Sequence, residues 1–347
     1  MKKRNNILIP LGAAMLLCGA ALAVQSCGIE PTTYSNSMER QYLEAWLSVN
    51  YPGVSAFDKG IYILEEEKGN GNAYNQEPYP LISLTTCDLE GTIASTTDEN
   101  IAKRLGTYRI STYYGPTFWD NSDNKLLAGV RSALQGMKVG GRRKVLIPSW
   151  LLVYDEYDTA EDYFEKSSSQ NSYGIYDITL EGFVSSSSDM ITYQENSISD
   201  YARESYGATP VQKDTAGFFI IKPSTAALGR TFPSDTTLSV NYTGRLLNGI
   251  VFDTTIEKVA KDSGIYSSSK SYSPVSITWG EKYSKLQMGT SQSAATPVVG
   301  FQLLLWQLTD YDSITGLFIS DLGYGNSGTG SSIPAFAPLV FEIEMVK

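Results

Sequence analysis

The feature that most constrains this sequence is an internal repeat within its 347 residues. In each half a helix-like segment is followed by a chain breaker and then by a strand-like segment that begins at glycine. Three pairs of equivalent glycines show offsets of 157, 158 and 171: Gly60 and Gly217, Gly91 and Gly249, Gly129 and Gly300. We therefore expect two copies of one domain, with an insertion in the second copy at residues 281–296.

One hairpin in the second copy carries the most suggestive side chains. Residues 240–255 read VNYTGRLLNGIVFDTT, in which polar and apolar residues alternate and an Asn-Gly pair marks the turn. Tyr242, Phe252 and Asp253 could line a small apolar pocket with one polar group. Aromatic residues in strands are more often part of the core, so the hairpin alone leaves both interpretations open.

The segments that follow the hairpin make the pattern specific. The hairpin resembles the opening sheet of the FKBP-type peptidyl-prolyl isomerases, V-x-Y-x-G-x-L-x-x-G-x-x-F-D-S-S. Four later segments resemble, in the family's order, its V-I-x-G-W, A-Y-G and I-P-P segments and its final strand: residues 297–301, 322–325, 333–335 and 339–344. The resemblance covers residues 217–347 and, through the repeat, extends to the first copy.

The resemblance implies an α+β fold that is formed twice. In each copy a curled antiparallel sheet would wrap around one short amphipathic helix, with a pocket between them. Both copies contain apolar residues at the helical spacing i, i+3, i+4, i+7: Val130, Ala133, Leu134 and Met137 in the first, and Phe301, Leu304, Leu305 and Leu308 in the second.

Prolyl isomerisation needs no cofactor and no metal. The X–Pro amide rotates across a barrier of roughly 18–20 kcal/mol without breaking a covalent bond. Twisting removes the polarity of the amide, so an apolar pocket favours the twisted state. The sequence contains no histidine, which excludes histidine triads, histidine-ligated metals and histidine acid–base pairs but does not affect this chemistry.

By resemblance, the second copy carries the complete pocket. Phe301 corresponds to the tryptophan at the floor of the family's pocket, and the backbone N–H of Val298 would hold a substrate carbonyl. The remaining predicted site residues form the walls and the polar contacts: Tyr242, Phe252, Phe341, Asp253 and Tyr324. Two features depart from the family pattern, because residues 308–313 replace its M-x-V-G-x-R turn and Val275 replaces an aromatic wall residue.

The first copy lacks most of this pocket. The repeat aligns small or aliphatic residues with the site: Leu84 with Tyr242, Ala94 with Phe252, Ser95 with Asp253 and Val130 with Phe301. Tyr176, aligned with Phe341, is the main aromatic residue that remains. Alanine and valine cannot offer a proline ring the area of an aromatic side chain, so we expect this copy to fold but to be inactive.

The N-terminus is typical of a targeting segment. Lys2, Lys3 and Arg4 precede an apolar stretch, and residues 24–27 (VQSC) resemble a bacterial lipobox. This implies acylation of Cys27 and a protein anchored by lipid in the bacterial cell envelope, with the outer membrane as the expected location. A plain signal peptide with a chance cysteine is the alternative.

These patterns divide the chain into five regions. They are a signal peptide at 1–27, a tether and helix at 28–57, the first copy at 58–184, a linker with a helix at 185–214, and the second copy at 215–347. Removal of the signal peptide changes the formal net charge from −10 to −13. Such a negative charge argues against a nucleic-acid partner.

The expected function is therefore that of a membrane-anchored prolyl isomerase that helps exported proteins to fold. Its partners would be proline-containing polypeptides of the cell envelope, and the second copy would carry the activity. The alternative is a non-catalytic interaction or scaffold lipoprotein that uses both copies for binding, since a fold does not determine a function. The unusual turn at 308–313 and the insertion favour this alternative, whereas the complete pocket favours the enzyme.

Overall fold

The structure is a computed structural model that describes residues 31–154, 160, 162–163, 173–213, 215–289 and 295–346. The predicted signal peptide with Cys27 and part of the expected insertion, residues 290–294, lie outside the described residues. No helix in these ranges has both the length and the apolar character needed to cross a bilayer.

The described α-helices are α1 (Pro31–Asn50), α2 (Glu99–Leu105), α3 (Ala128–Leu134), α4 (Ser187–Tyr206), α5 (Glu257–Asp262) and α6 (Val299–Trp306). The strands of the first sheet are β1 (Ala56–Phe57), β2 (Ile61–Glu67), β3 (Tyr79–Cys87), β4 (Ile93–Thr96), β5 (Thr117–Phe118), β6 (Arg142–Ile147) and β7 (Gly174–Val184). The strands of the second sheet are β8 (Val211–Gln212), β9 (Phe218–Ile221), β10 (Thr237–Leu246), β11 (Val251–Thr254), β12 (Val275–Thr278), β13 (Gln287–Met288), β14 (Ser313–Phe318) and β15 (Leu339–Val346).

The two sheets have the same antiparallel topology. The first has the order β1-β2-β6-β7-β3-β4, and the second contains the equivalent order β8-β9-β14-β15-β10. β11 and β12 pair with β10 as β4 and β5 pair with β3. Among the described strands, β13 alone has no counterpart; it extends the edge at β12, within the expected insertion. The α+β architecture and the repeat predicted from the sequence are thus present.

The strand registers confirm the predicted residue equivalences. In the first sheet Thr86 pairs with both Ser95 and Tyr176. In the second sheet Gly244 pairs with both Asp253 and Phe341. The alignment of Ser95 with Asp253, and of Tyr176 with Phe341, therefore follows from hydrogen-bonded register as well as from sequence.

Each sheet curls around one central helix, α3 or α6. All eight apolar positions predicted for the helix faces are buried, although Met137 and Leu308 lie just beyond the helix ends. The glycine pair Gly129 and Gly300 allows both helices to approach the sheet closely, because a Cβ atom at either position would overlap a side chain of the sheet, Ile147 or Phe318. The same steric requirement thus shapes both copies.

A second helix covers the outer face of each sheet. Leu43 and Leu47 of α1 pack in a cluster with Leu146 and Ile175 of the first sheet. At the equivalent place in the second copy, Ile198 of α4 packs in a cluster with side chains of β9, β14 and β15.

The buried face predicted for α1 is wrong by one residue. The spacing i, i+3, i+4, i+7 in the sequence predicts that Tyr42, Ala45, Trp46 and Val49 face the core. In the structure Tyr42 and Val49 are 48% and 78% exposed, and Ala45 is exposed as well. Leu43 and Leu47 have the same helical spacing and bury more apolar area without a hydroxyl group, so they occupy the interface. The helix also begins at Pro31 and covers most of the segment predicted as a tether.

The two copies pack against each other. Met190 of α4 lies in a cluster with Tyr79 and Phe118 of the first copy and Phe336 of the second. The ring of Phe336 contacts the ring of Tyr79 edge-to-face at 5.2 Å. Because α4 also packs on the second sheet, this one helix contributes buried side chains to both copies and connects them.

Candidate active site

Four of the predicted aromatic residues form one cluster between α6 and the second sheet. The ring centroid of Phe301 lies 5.3 Å from that of Tyr242 and 4.7 Å from that of Phe341. Phe252 contacts Phe341 edge-to-face at 5.4 Å. Such tilted and edge-to-face contacts stabilise aromatic clusters beyond simple burial. Phe301 forms the apolar base, since it is almost fully buried at the start of α6.

Gly244 makes room for this cluster. A Cβ atom at this position on β10 would lie 2.5 Å from Phe252 Cε2 and 2.8 Å from Phe341 Cε1. Any other residue would therefore displace one of the two rings. The family pattern includes this glycine but does not show its role. Its position two residues after Tyr242, on the same face of the strand, is the signal in the sequence.

The polar end of the site is built on Asp253. The Tyr242 hydroxyl donates to Asp253 Oδ2 at 2.6 Å, and Lys270 Nζ contacts Oδ1 in an ion pair. Burial raises the pKa of the Tyr242 phenol well above its usual value, and the Asp253 carboxylate raises it further. The phenol therefore stays protonated at neutral pH and can donate to the carboxylate.

Tyr324 lies close enough to complete this polar group. Burial raises the pKa of its phenol, with a further contribution from the charge of Asp253. Tyr324 is nevertheless 38% exposed, so one side of its ring faces solvent. Tyr324 therefore adds a partly exposed aromatic side chain near Asp253.

Val298 is the N-cap residue of α6, with φ −58° and ψ 151°. The first N–H groups of a helix have no acceptor within the helix, so they are available to an external carbonyl. Val298 itself packs against the core cluster that contains the aromatic residues. Val298 therefore lies beside the aromatic cluster, and the role of its backbone N–H as a donor stays a prediction from the sequence.

The equivalent region of the first copy has a different construction. Ala94 and Ser95 are exposed, and the Ser95 hydroxyl bonds to that of Thr86 at 2.8 Å. Thr86 stands where the second copy has Gly244, so its side chain occupies the space that the rings of Phe252 and Phe341 require. Val130 is buried at the place of Phe301.

The turn at residues 308–313, which departs from the family pattern, has a structural explanation. Residues Gln307–Thr309 form a short 3₁₀ helix, and Arg230 closes the turn that follows. Its guanidinium donates to the carbonyl oxygens of Leu308 and Tyr311, at 2.6 and 3.0 Å, and pairs with Asp312. The role of Arg230 could not be predicted from the sequence, because this residue lies about 80 residues before the turn.

A cavity of about 450 Å³ lies between the two copies, away from the aromatic cluster. Its lining includes Tyr113 and Phe118 of the first copy, Tyr193 and Tyr201 of α4, and Phe336 of the second copy. Within the described residues, no group of histidine, cysteine, aspartate or glutamate side chains could hold a metal ion.

Comparison with known proteins points to one family. Residues 229–346 match the family model for FKBP-type peptidyl-prolyl cis-trans isomerases. A probable FKBP-type peptidyl-prolyl cis-trans isomerase of Haemophilus influenzae is 27% identical over 158 residues, which are 46% of this chain and 54% of that protein. An FK506-binding protein of Neisseria meningitidis serogroup A is 24% identical over 140 residues, 38% of this chain and 96% of that protein.

The chain thus spans about half the length of the Haemophilus protein. Among solved structures, the three FKBP domains of wheat FKBP73 align with 84% of this chain and 95% of that chain, at 13% identity and a TM-score of 0.26. A peptidyl-prolyl isomerase of Pseudomonas syringae aligns with 48% of this chain and 98% of that chain, at 20% identity and a TM-score of 0.28.

Proposed function

We propose, from the membership of this chain in the FKBP-type peptidyl-prolyl cis-trans isomerase family, that its second copy catalyses prolyl isomerisation in polypeptides. The observation that carries the proposal is the cluster of Tyr242, Phe252, Phe301 and Phe341 beside the hydrogen-bonded Asp253. In this proposal, the aromatic cluster would supply the apolar surface, and Asp253 and Tyr242 the polar edge, for rotation about an X–Pro bond.

In this mechanism the protein stabilises the twisted amide and transfers no proton. The proline ring would rest against Phe301, beside the contacting rings of Phe252 and Phe341. The Val298 N–H would donate to a substrate carbonyl and fix the peptide while the amide rotates. Because the twisted amide is less polar than the planar one, the apolar surroundings favour the transition state over the ground state.

Asp253 acts by holding Tyr242. Its two carboxylate oxygens are already engaged, one by the Tyr242 hydroxyl and one by Lys270. Its first role would therefore be to orient the Tyr242 ring against Phe301, and its charge would also act on the accessible Tyr324 hydroxyl. We assign the first copy no activity, because Thr86, Ala94 and Val130 leave no comparable aromatic surface.

We further propose that Cys27 is acylated and anchors the protein in the bacterial cell envelope, where exported polypeptides would be its substrates. The lipobox-like residues 24–27 after a basic and apolar segment support this. The Cys27→Ala variant should move from the membrane fraction to the soluble fraction after cell lysis. A variant that stays with the membranes would contradict anchoring through Cys27.

The activity itself is tested by adding the purified chain to proline-containing tetrapeptides and following cis-to-trans conversion with a protease that cleaves only the trans form. The proposal predicts a rate that rises linearly with protein concentration. A folded chain that leaves the uncatalysed rate unchanged would refute the enzyme and favour the scaffold function.

A further inference from the structure

We propose that residues 107–116 of the first copy form an outer wall of the second copy's site and bind the substrate residues that flank the proline. This inference rests on the proposed isomerase function and adds a substrate class to it. The preferred substrate would be an extended, apolar segment of a non-native protein chain, rather than a short peptide. The otherwise inactive first copy would thus contribute to specificity.

The first observation is a direct contact between Ile110 and Gly264. A Cβ atom on Gly264 would overlap Ile110 Cγ2, so the isoleucine side chain lies against the glycine backbone. Gly264 follows α5 in the connection from β11 to β12, and the same connection carries Lys270, which pairs with Asp253. The first copy therefore touches one loop that supplies a polar group to the site.

The second observation places Tyr113 on the opposite loop. Its backbone N–H donates to the Ser331 carbonyl oxygen at 2.9 Å. Its ring packs against the core cluster that contains Tyr242, Phe301 and Phe341. Ser331 belongs to the connection between β14 and β15 that also carries Tyr324. One short segment of the first copy therefore contacts both loops that supply polar groups to the site.

The third observation is that this segment is held in place but not buried. Tyr108 stacks on Tyr114 at 5.5 Å, and the Tyr113 hydroxyl donates to the Pro116 carbonyl oxygen at 2.9 Å. Ile110 is nevertheless 52% exposed. The segment therefore presents apolar side-chain surface to solvent next to the loops that it contacts.

The exposed groups continue on the second copy, where Tyr266 and Tyr324 present apolar surface on the two contacted loops. A tetrapeptide spans at most about 14 Å when extended, so it fills the proline pocket and little more. A longer chain can also cover Ile110. The segment should therefore act on protein substrates and have little effect on tetrapeptides.

The test compares two substrates with the full chain: a proline tetrapeptide, and a protein whose refolding is limited by one prolyl bond. We expect Ile110→Ser to lower kcat/KM for the refolding protein about tenfold, the effect of losing about 1.4 kcal/mol of apolar contact. For the tetrapeptide the change should stay below about twofold, because only the pocket is used. Val49→Ser, at an exposed position on α1, is the matched control and should change neither rate.

A pair of glycine variants tests the same contact in another way. Gly264 and Gly249 both have positive φ, 68° and 86°, so alanine is strained at either position. Only at Gly264 would the new Cβ push Ile110 away, since nothing lies within 4 Å of one at Gly249. Gly264→Ala should therefore reduce the preference for the refolding protein, and Gly249→Ala should not.

Each outcome decides between distinct accounts. Equal effects of Ile110→Ser on both substrates would show a structural contact and overturn the inference. Higher activity on both substrates would identify the segment as an inhibitory lid, which also overturns it. If the wild-type chain acts on the tetrapeptide but its preference for the refolding protein does not depend on Ile110, only this inference fails. If the wild-type chain acts on neither substrate, the proposed isomerase function itself fails.

Discussion

The two copies in this chain share a fold and differ in what that fold can hold. They have the same strand order, the same register and a glycine at the same point of the central helix, Gly129 or Gly300. On the strand facing that helix they differ where Gly244 in the second copy corresponds to Thr86 in the first, and where Tyr242 corresponds to Leu84. The helix glycine permits close packing and preserves the fold, whereas the strand glycine permits ring packing and preserves the site.

This comparison shows that the fold and the site depend on separate residues. Residues of the core need only to fill space. Val130 of the first copy can therefore occupy the position that Phe301 has in the second, because the neighbouring chain adjusts around a smaller side chain. The site requires several large rings in contact, and loss of one ring leaves the others without support. The most informative experiments therefore make each copy resemble the other.

Gly244→Thr should have the largest effect, because it introduces the residue of the first copy into the second. The new Cβ would lie within 2.8 Å of the rings of both Phe252 and Phe341. We expect a loss of about 1–3 kcal/mol in the free energy of unfolding, as for other overpacked cores, and at least a tenfold loss of isomerase activity.

The reciprocal variant, Thr86→Gly, is its control. Glycine within a strand costs about 0.5–1 kcal/mol through backbone entropy, and this variant should retain full activity. Thermal melts and the tetrapeptide assay measure both quantities. Full activity in a folded Gly244→Thr chain would show that the ring cluster is not required.

Asp253→Ala should have an intermediate effect. It removes the acceptor of the Tyr242 hydroxyl and the partner of Lys270, but the aromatic rings remain. We expect turnover to fall about threefold to tenfold, in line with the net contribution of about 0.5–1.5 kcal/mol of a typical hydrogen bond. The fold should persist, since Asp253 lies at the edge of the core.

Ser95→Ala, at the equivalent position of the first copy, is the control for Asp253→Ala and should leave turnover unchanged. Turnover is measured at saturating tetrapeptide, and circular dichroism checks the fold of both variants. Loss of all activity in a folded Asp253→Ala chain would indicate a direct catalytic role that the geometry does not assign.

The smallest expected effect is on pH dependence. The folded chain raises the pKa of Tyr242 above its usual value of 10.0, first through burial and then through Asp253. A raised pKa favours the neutral phenol in the folded state, so this stabilisation is complete below pH 10 and is lost as the pH rises through the folded pKa. Above pH 10 the free energy of unfolding should therefore fall less steeply with pH in the Tyr242→Phe variant than in the wild type.

Urea unfolding at a series of alkaline pH values measures this difference. Activity between pH 6 and about 9 should be flat, since no group in the proposed mechanism transfers a proton. A bell-shaped rate profile in that range would contradict the mechanism. Leu84, the counterpart of Tyr242 in the first copy, has no titrating group and contributes nothing to this dependence.

Much of the fold could be predicted because it depends on local patterns. Helical spacing identified the buried faces of α3 and α6, and the glycine offsets aligned the two sheets. The face of α1 was mispredicted because two sets of apolar residues share the same spacing there. Only the position of the sheet surface, with Leu146 and Ile175, decides which set is buried.

The candidate site divides in the same way. Its rings could be predicted, since they lie at fixed places in a recognisable pattern. Lys270 and the segment 107–116 could not, because each reaches the site through a contact between distant parts of the chain. Sequence spacing carries no information about such contacts between loops, and only the three-dimensional arrangement shows them.

The central claim is that the second copy alone carries isomerase activity, and paired double variants of the full chain test it most directly. Phe252→Ala/Phe301→Ala removes two rings from the second copy, and Leu84→Ala/Val130→Ala truncates the residues of the first copy that correspond to Tyr242 and Phe301. Since buried Phe→Ala changes cost about 3–5 kcal/mol, melts must accompany the tetrapeptide assay. The account predicts that the first variant falls to the uncatalysed rate while the second keeps wild-type activity. Activity that survives in a folded Phe252→Ala/Phe301→Ala chain, or is lost in a folded Leu84→Ala/Val130→Ala chain, would contradict it.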